Sequence, residues 1–367
     1  MKKTLVALAV AAVAATSANA AVVYDQDGSK VEVGGSLRLL LKKETDKRGD
    51  LKNDGSRLQF KGTQDLGNGL SAIAALELRF RGTGENTRSG QENASNSNFG
   101  EVNAERLWAG FKQDGVGTLT FGRQLTNGDS IQLANFLNYK DGNINLTDYA
   151  DKSVKFVSDS FGGFSFGLDY IFGSDEKDFR SALRLNKDKT EGTAYGYEKG
   201  YGAALYYTGD VAQDVKFNFR AGYTQDRWNT TTSTVAKVEE GNLVTLAKPE
   251  ITGQSKMKRD SWRVAGEFVI DQVTFGYNYG QSRNKVNGVK QAKKTYHMAG
   301  AQYRFSEPAA LNLQWKRSTG DKKVNTYIVG VDYKLHKNVY TFIEYHHDRP
   351  NKGENNNDVG VGLRVFF

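Results

Sequence analysis

One pattern limits this chain's folding choices more than any other: apolar and polar residues alternate one by one, in segment after segment, along nearly its whole length. From Val31 to Leu41 one side reads Val31, Val33, Leu37, Leu39 and Leu41, and the other reads Glu32, Gly34, Ser36 and Arg38. Leu58 and Phe60 alternate with Arg57, Gln59 and Lys61, and Ala74, Leu76, Leu78 and Phe80 with Ala75, Glu77, Arg79 and Arg81. The last segment sets Val359, Val361, Leu363, Val365 and Phe367 against Gly360, Gly362, Arg364 and Phe366. Side chains of a strand point alternately to opposite faces, so each segment reads as a β-strand with one apolar and one wet face.

The breaks between segments carry the second constraint. Short ones at 66–69, 114–117, 160–163, 210–214, 271–272, 306–310 and 336–338 alternate with long polar ones near 44–54, 82–101, 125–151, 174–192, 228–258, 284–294, 319–323 and 349–356. Such a series joins about sixteen antiparallel strands, an even number, with every long connection at the same end. An open sheet in lipid would leave edge N–H and C=O groups unpaired, and only closure removes that cost. Barrels of about eight strands fill their interiors with side chains, whereas barrels of about sixteen leave an aqueous channel. The expected fold class is therefore all-β, a 16-stranded antiparallel transmembrane β-barrel whose Arg-, Lys-, Glu-, Asp- and Gln-bearing inner face meets water.

Residues 1–20 read as a secretory signal peptide: Lys2 and Lys3, a short apolar run from Leu5 to Ala15, then Ala18-Asn19-Ala20 as a cleavage site. Residues 21–367 are expected to form one barrel domain. No later stretch approaches the ~20 apolar residues of a transmembrane helix, and mean hydropathy is −0.59. That value does not argue against a barrel, because alternating faces average out. There is no Cys, so no disulfide or thiolate metal site is expected. Pro249, Pro308 and Pro350 fall in connections, where a sheet tolerates them. The formal charge of +8, or +6 without Lys2 and Lys3, is spread singly rather than clustered as in a nucleic-acid binder. Aromatics near strand ends (Tyr206, Tyr207, Phe217, Phe219, Trp262, Tyr277, Tyr279, Tyr340 and Phe342) read as girdles at the two membrane interfaces.

Bond chemistry finds no support. The chain has no Gly-x-Ser-x-Gly elbow, P-loop or His-Glu-x-x-His. Adjacent His346 and His347 point to opposite faces of a strand and make a poor metal pair. Neither a metal nor a cofactor is expected.

Several segments resemble Gram-negative general porins. Ala20–Tyr24 with Asp27–Val33 is similar to their first strand, Ser56–Gly62 to their second, and Gly117–Gln124 to the fifth, which leads into a pore-narrowing third loop. Lys334–Lys337 and the ending Val361–Phe367 resemble the OmpH-type major outer-membrane porins of Pasteurellaceae. The resemblance spans essentially the whole mature chain and implies a homotrimer in the outer membrane of a Gram-negative bacterium. It also implies an inward-folded third loop whose acids face a basic wall. Carried over residue by residue, the wall is Arg57, with Arg38 two residues beyond a missing rung at Ser36. Arg106 or its neighbour Glu105 takes the next place, and Arg123 of the fifth strand belongs with them. The loop acids are Asp129, Asp141 and Asp148; the family's Pro-Glu-Phe-Gly-Gly stretch is absent. Phe367 would be read by the barrel-assembly machinery, and Lys43, Lys47, Lys256, Lys258, Arg259, Lys293 and Lys294 would meet lipopolysaccharide phosphates. The function expected is passive diffusion of small hydrophilic solutes and ions. A substrate-specific channel or a surface antigen on the same barrel, the latter suggested by 228–258, stand as alternatives.

Overall fold

A computed structural model describes residues 20–81, 101–139, 145–173, 184–185, 191–239, 242–320 and 322–367. Residues 1–19 of the expected leader and Asp141 of the third loop lie outside the described residues. Sixteen strands form the ring: β1 (Ser29–Glu44), β2 (Arg57–Gly67), β3 (Leu70–Arg81), β4 (Glu101–Gln113), β5 (Gly117–Leu125), β6 (Tyr149–Ser158), β7 (Phe164–Phe172) and β8 (Glu191–Ala212) make its first half. The second half is β9 (Val215–Glu239), β10 (Asn242–Ile270), β11 (Val273–Val286), β12 (Val289–Tyr303), β13 (Ala309–Ser318), β14 (Val324–His336), β15 (Val339–Pro350) and β16 (Asn356–Phe366). Each pairs antiparallel with the next, and β16 returns to β1 with Phe366 opposite Ser36 and Asp358 opposite Glu44. A short strand, Ala21–Gln26, pairs with the first half of β1 and continues the line of β16. The Gly35 N–H donates to the Phe367 carbonyl at 2.8 Å, so the last residue also takes part in closure.

The alternation in the sequence is the alternation in space. Along β7, Phe166, Leu168, Tyr170 and Phe172 are exposed while Gly167, Asp169 and Ile171 are buried. Along β14, Tyr327, Val329 and Val331 are exposed while Thr326, Ile328 and Gly330 are buried. Most of the exposed apolar side chains of the strands share the outer face and form a band far larger than a water-soluble surface tolerates. No helix is long and apolar enough to cross a membrane among the described residues; the strands are the crossing elements.

Two rows of rings sit on that outer face. Near the short turns, Phe164, Tyr207, Phe217, Phe268 and Phe275 contact one another in sequence, with centroids 4.6, 6.4, 4.8 and 5.5 Å apart. Towards the other end run Trp262, Tyr279, His297 and Trp315 at 5.4, 4.8 and 6.1 Å. Tyr206, Tyr340 and Phe342, expected in the girdles, face the lumen instead. Tyr206 and Phe342 are buried, and the Tyr340 hydroxyl bonds to Asn138. Tyr206 and Tyr207 are neighbours on one strand, so only one of them can look outward.

Two expected long loops are extended strand. β9 and β10 stay paired as far as Glu239 opposite Asn242, and β11 and β12 turn sharply at Asn287-Gly288, where φ is 48° and 83°. Asn-Gly suits a two-residue hairpin in which both residues have positive φ. These strands exceed the ~9–11 residues a membrane crossing needs, so the wall projects beyond the bilayer here.

Candidate functional site

The segment after β5 leaves the wall and runs inside the barrel. Thr126 caps a 3₁₀ turn, Asn127–Ser130, by accepting the Gly128 N–H at 3.2 Å. The Asn127 N–H donates to the Asp169 carboxylate of β7 at 3.0 Å. Further on, the Ala134 N–H meets Glu267 of β10 at 2.6 Å, the Asn138 N–H meets Glu344 of β15 at 2.7 Å, and the Asn138 side-chain amide meets Asp332 of β14 at 2.9 Å. The Tyr139 hydroxyl reaches Asp358 of β16 at 2.6 Å. On the returning limb Asn145 accepts from Arg263 at 3.0 Å, and the Thr147 hydroxyl donates to Asp226 of β9 at 2.6 Å. Irregular backbone inside a membrane barrel needs partners for its N–H groups, and inward carboxylates of the wall supply many of them.

Wall glycines make the room. A Cβ on Gly222 would lie 2.6 Å from Ile131, and one on Gly300 would lie 2.0 Å from the Ala134 carbonyl oxygen. Gly280 and Gly360 leave the same kind of space beneath Asn145 and Tyr139. Ile131 and Leu146 then pack with Ala204 and Tyr206 of β8 in the apolar cluster of the interior. The third loop therefore lies against the arc from β7 to β16.

The arc that the loop leaves bare, β1 to β4, carries a cluster of arginines, bordered by Arg364 of β16. Glu77 of β3 stands among Arg79 at 2.6 Å, Arg106 at 3.4 Å and Arg57 at 3.5 Å, with Gln59 donating to it at 2.6 Å. Arg38 is held by Ser36 at 2.8 Å, so the residue at the missing rung supports its substitute. The choice between Glu105 and Arg106 dissolves, because the register shifts between Glu77 and Leu78. A bulge sets two residues against one. Arg106 reaches Glu77, and Glu105 reaches Arg79 at 3.2 Å. Arg364 of β16, bonded to Asp54 at 2.9 Å and to the Asn138 carbonyl, joins this wall to the loop tip.

Arg57, Arg106 and Arg38 are thus brought together. Arg123 is not among them. It shares the outward parity of exposed Phe121, bonds to the Tyr149 hydroxyl and lies 3.4 Å from Asp151. Asp129 sits in the 3₁₀ turn within electrostatic reach of Lys155 and Arg220. Asp148 lies at the loop's exit, its carbonyl accepting from Thr126 at 3.0 Å. Sequence reasoning passed over Glu77, Arg79, Arg364 and the wall carboxylates, although their place on the wet side of the alternation was the available signal. Among the lipopolysaccharide candidates, Arg259 turns inward to Asp226 at 2.9 Å. His346 is fully buried beside Glu344 at 3.0 Å, whereas His347 stacks outside on Tyr327 at 6.3 Å.

A profile of the Gram-negative porin family matches residues 7–353. The chain is a Gram-negative porin. A "Major outer membrane protein" of Pasteurella multocida strain Pm70 is 41% identical to it over 380 residues, covering 100% of both chains. Another from Pasteurella multocida is 38% identical over 389 residues, again with 100% of both covered. Among solved structures, OmpT of Vibrio cholerae in its trimer form superposes with a TM-score of 0.65 at 15% identity, covering 93% of this chain and 100% of that one. OmpF of Salmonella typhi gives 0.62 at 15% identity, covering 94% and 99%. This porin is a multi-pass protein of the outer membrane and a general diffusion channel.

Proposed function

We propose that solutes cross this porin through a gap between the third loop and an arginine wall of Arg38, Arg57 and Arg106, with Asp129, Asp141 and Asp148 on the loop side. The observation that carries the reading is the division of the lumen into two arcs, one covered by the loop and one left bare with a cluster of arginines around Glu77. A narrow polar gap passes small hydrophilic molecules by size, and fixed charges facing it order the water that an apolar solute must displace. No bond is made or broken, so the protein acts as a channel and not as an enzyme. Planar-bilayer recording of Arg57→Ser tests the wall. The expected result is altered conductance and ion selectivity; unchanged values would remove Arg57 from the constriction.

The working unit is a homotrimer in this reading. Support comes from the outer face of β2 to β5, where Gly62, Ala74 and Ala109 floor a depression of about 470 Å³ between Phe60, Leu107 and Phe121. The ring belts described above lie elsewhere on the barrel, so this face suits protein better than lipid headgroups. Residues 1–20 would be removed on export, and residues 21–367 would form the mature barrel. Phe367, half exposed at the end of β16, would be the residue read by the assembly machinery. Lys43, Lys47, Lys256, Lys258 and Lys293 remain the candidates for lipopolysaccharide phosphates; Lys294 shares the inward parity of Tyr296.

A further inference from the structure

We infer that this porin selects anions, and that the solutes it favours are small carboxylates and phosphates. The inference rests on the arginine wall as the boundary of the gap and adds the sign of its field. Among the described residues, five guanidinium groups, Arg38, Arg57, Arg79, Arg106 and Arg364, form one cluster with three carboxylates, Glu77, Glu105 and Asp54. Two positive charges are left over. Depth adds to the count: the Glu77 side chain is 3% exposed, against 13%, 15% and 18% for Arg57, Arg106 and Arg79. The acid lies beneath its arginines, and guanidinium edges form the surface a solute meets.

On the opposite side the described carboxylates of the wall are already engaged. Six wall carboxylates, Asp169, Asp226, Glu267, Asp332, Glu344 and Asp358, stand behind the loop and accept its donors. Several also have basic neighbours of their own: Asp226 has Arg259 at 2.9 Å, and His346 lies between Glu344 at 3.0 Å and Asp358 at 4.0 Å. Asp169 lies within reach of Lys155. The loop's own Asp129 lies within reach of Lys155 and Arg220. The six wall carboxylates are thus covered by loop residues such as Asn138 and Tyr139, while Arg57, Arg79 and Arg106 lie outside the hydrogen bonds of the loop's described residues. A planar guanidinium offers paired N–H groups that match the oxygens of a carboxylate or phosphate. Low-dielectric walls concentrate its field in the gap.

Reversal potential of the full-length protein in a planar bilayer under a tenfold KCl gradient tests this. Chloride is expected to permeate severalfold better than potassium. The double variant Arg57→Gln, Arg106→Gln should move the ratio towards potassium, and Asp65→Asn near the exposed end of β2 should leave it unchanged. Inorganic phosphate added to the wild type should reduce the chloride current saturably, an arm that depends on no variant. Preference for potassium in the wild type would overturn the inference while leaving the channel intact, as would a phosphate series without effect. A protein that passes no current in any salt would remove the diffusion reading itself.

Discussion

Single positions decide how the lumen is filled. Gly300 lies under the Ala134 carbonyl, so even the one carbon of Gly300→Ala meets backbone at 2.0 Å. Overpacking of this kind costs about 1–3 kcal/mol. The loop, anchored by side chains rather than by a ladder, is the part expected to yield. Gly300→Ala should therefore assemble normally and show larger single-channel conductance, while conductance equal to wild type would mean that the loop does not bed there. Glu77 decides a different matter. Removing a buried charge from its partners costs on the order of 3–5 kcal/mol, and here Glu77→Gln would leave Arg57, Arg79 and Arg106 facing one another. The expected outcome is loss of the folded form at a lower temperature on heating in detergent.

Among the elements, the third loop and the strands differ in how much of them the sequence disclosed. Strand identity was legible because lipid on one side and water on the other imprint a period of two, as in Val359 to Phe367 against Gly360 to Phe366. Strand ends were less so. The polar stretch 228–258 looks like a loop, yet it continues as a ladder, because outside the bilayer neither face has to be apolar. Asn287-Gly288 carried a usable turn signal inside the stretch read as a loop. The site was half legible. Parity puts Arg57 and Arg38 on the wet face and the family resemblance singles them out, but the bulge that admits both Glu105 and Arg106 has no mark in the alternation. The wall carboxylates that receive the loop come from strands far apart in sequence, which no local pattern connects. The tip is held through Asn138 and Tyr139. Combining Asn138→Ala with Tyr139→Phe should free it, giving larger and noisier currents from a barrel of unchanged heat stability. Quiet currents of wild-type size would show that these contacts do not seat the loop.

At the scale of the whole molecule, the outer surface and the lumen make separate demands. The exposed apolar band requires an amphiphile, so the purified protein should precipitate when detergent is withdrawn and show a β-sheet circular dichroism spectrum when it is present. The outer face of β2 to β5, with its depression, should bury against another copy. Placing a charge there, as in Ala109→Glu, should reduce the trimer fraction in mild-detergent electrophoresis, and an undiminished trimer would put the contact elsewhere. Both expectations follow from a closed cylinder with an apolar exterior, and the function follows from its interior being wet. Polymer exclusion in a planar bilayer measures that wet interior most directly. Single-channel steps should appear in KCl, small polyethylene glycols should enter and lower the step size, and glycols above a sharp size limit should leave it unchanged. Absence of discrete steps, or steps indifferent to even the smallest glycol, would contradict a water-filled pore.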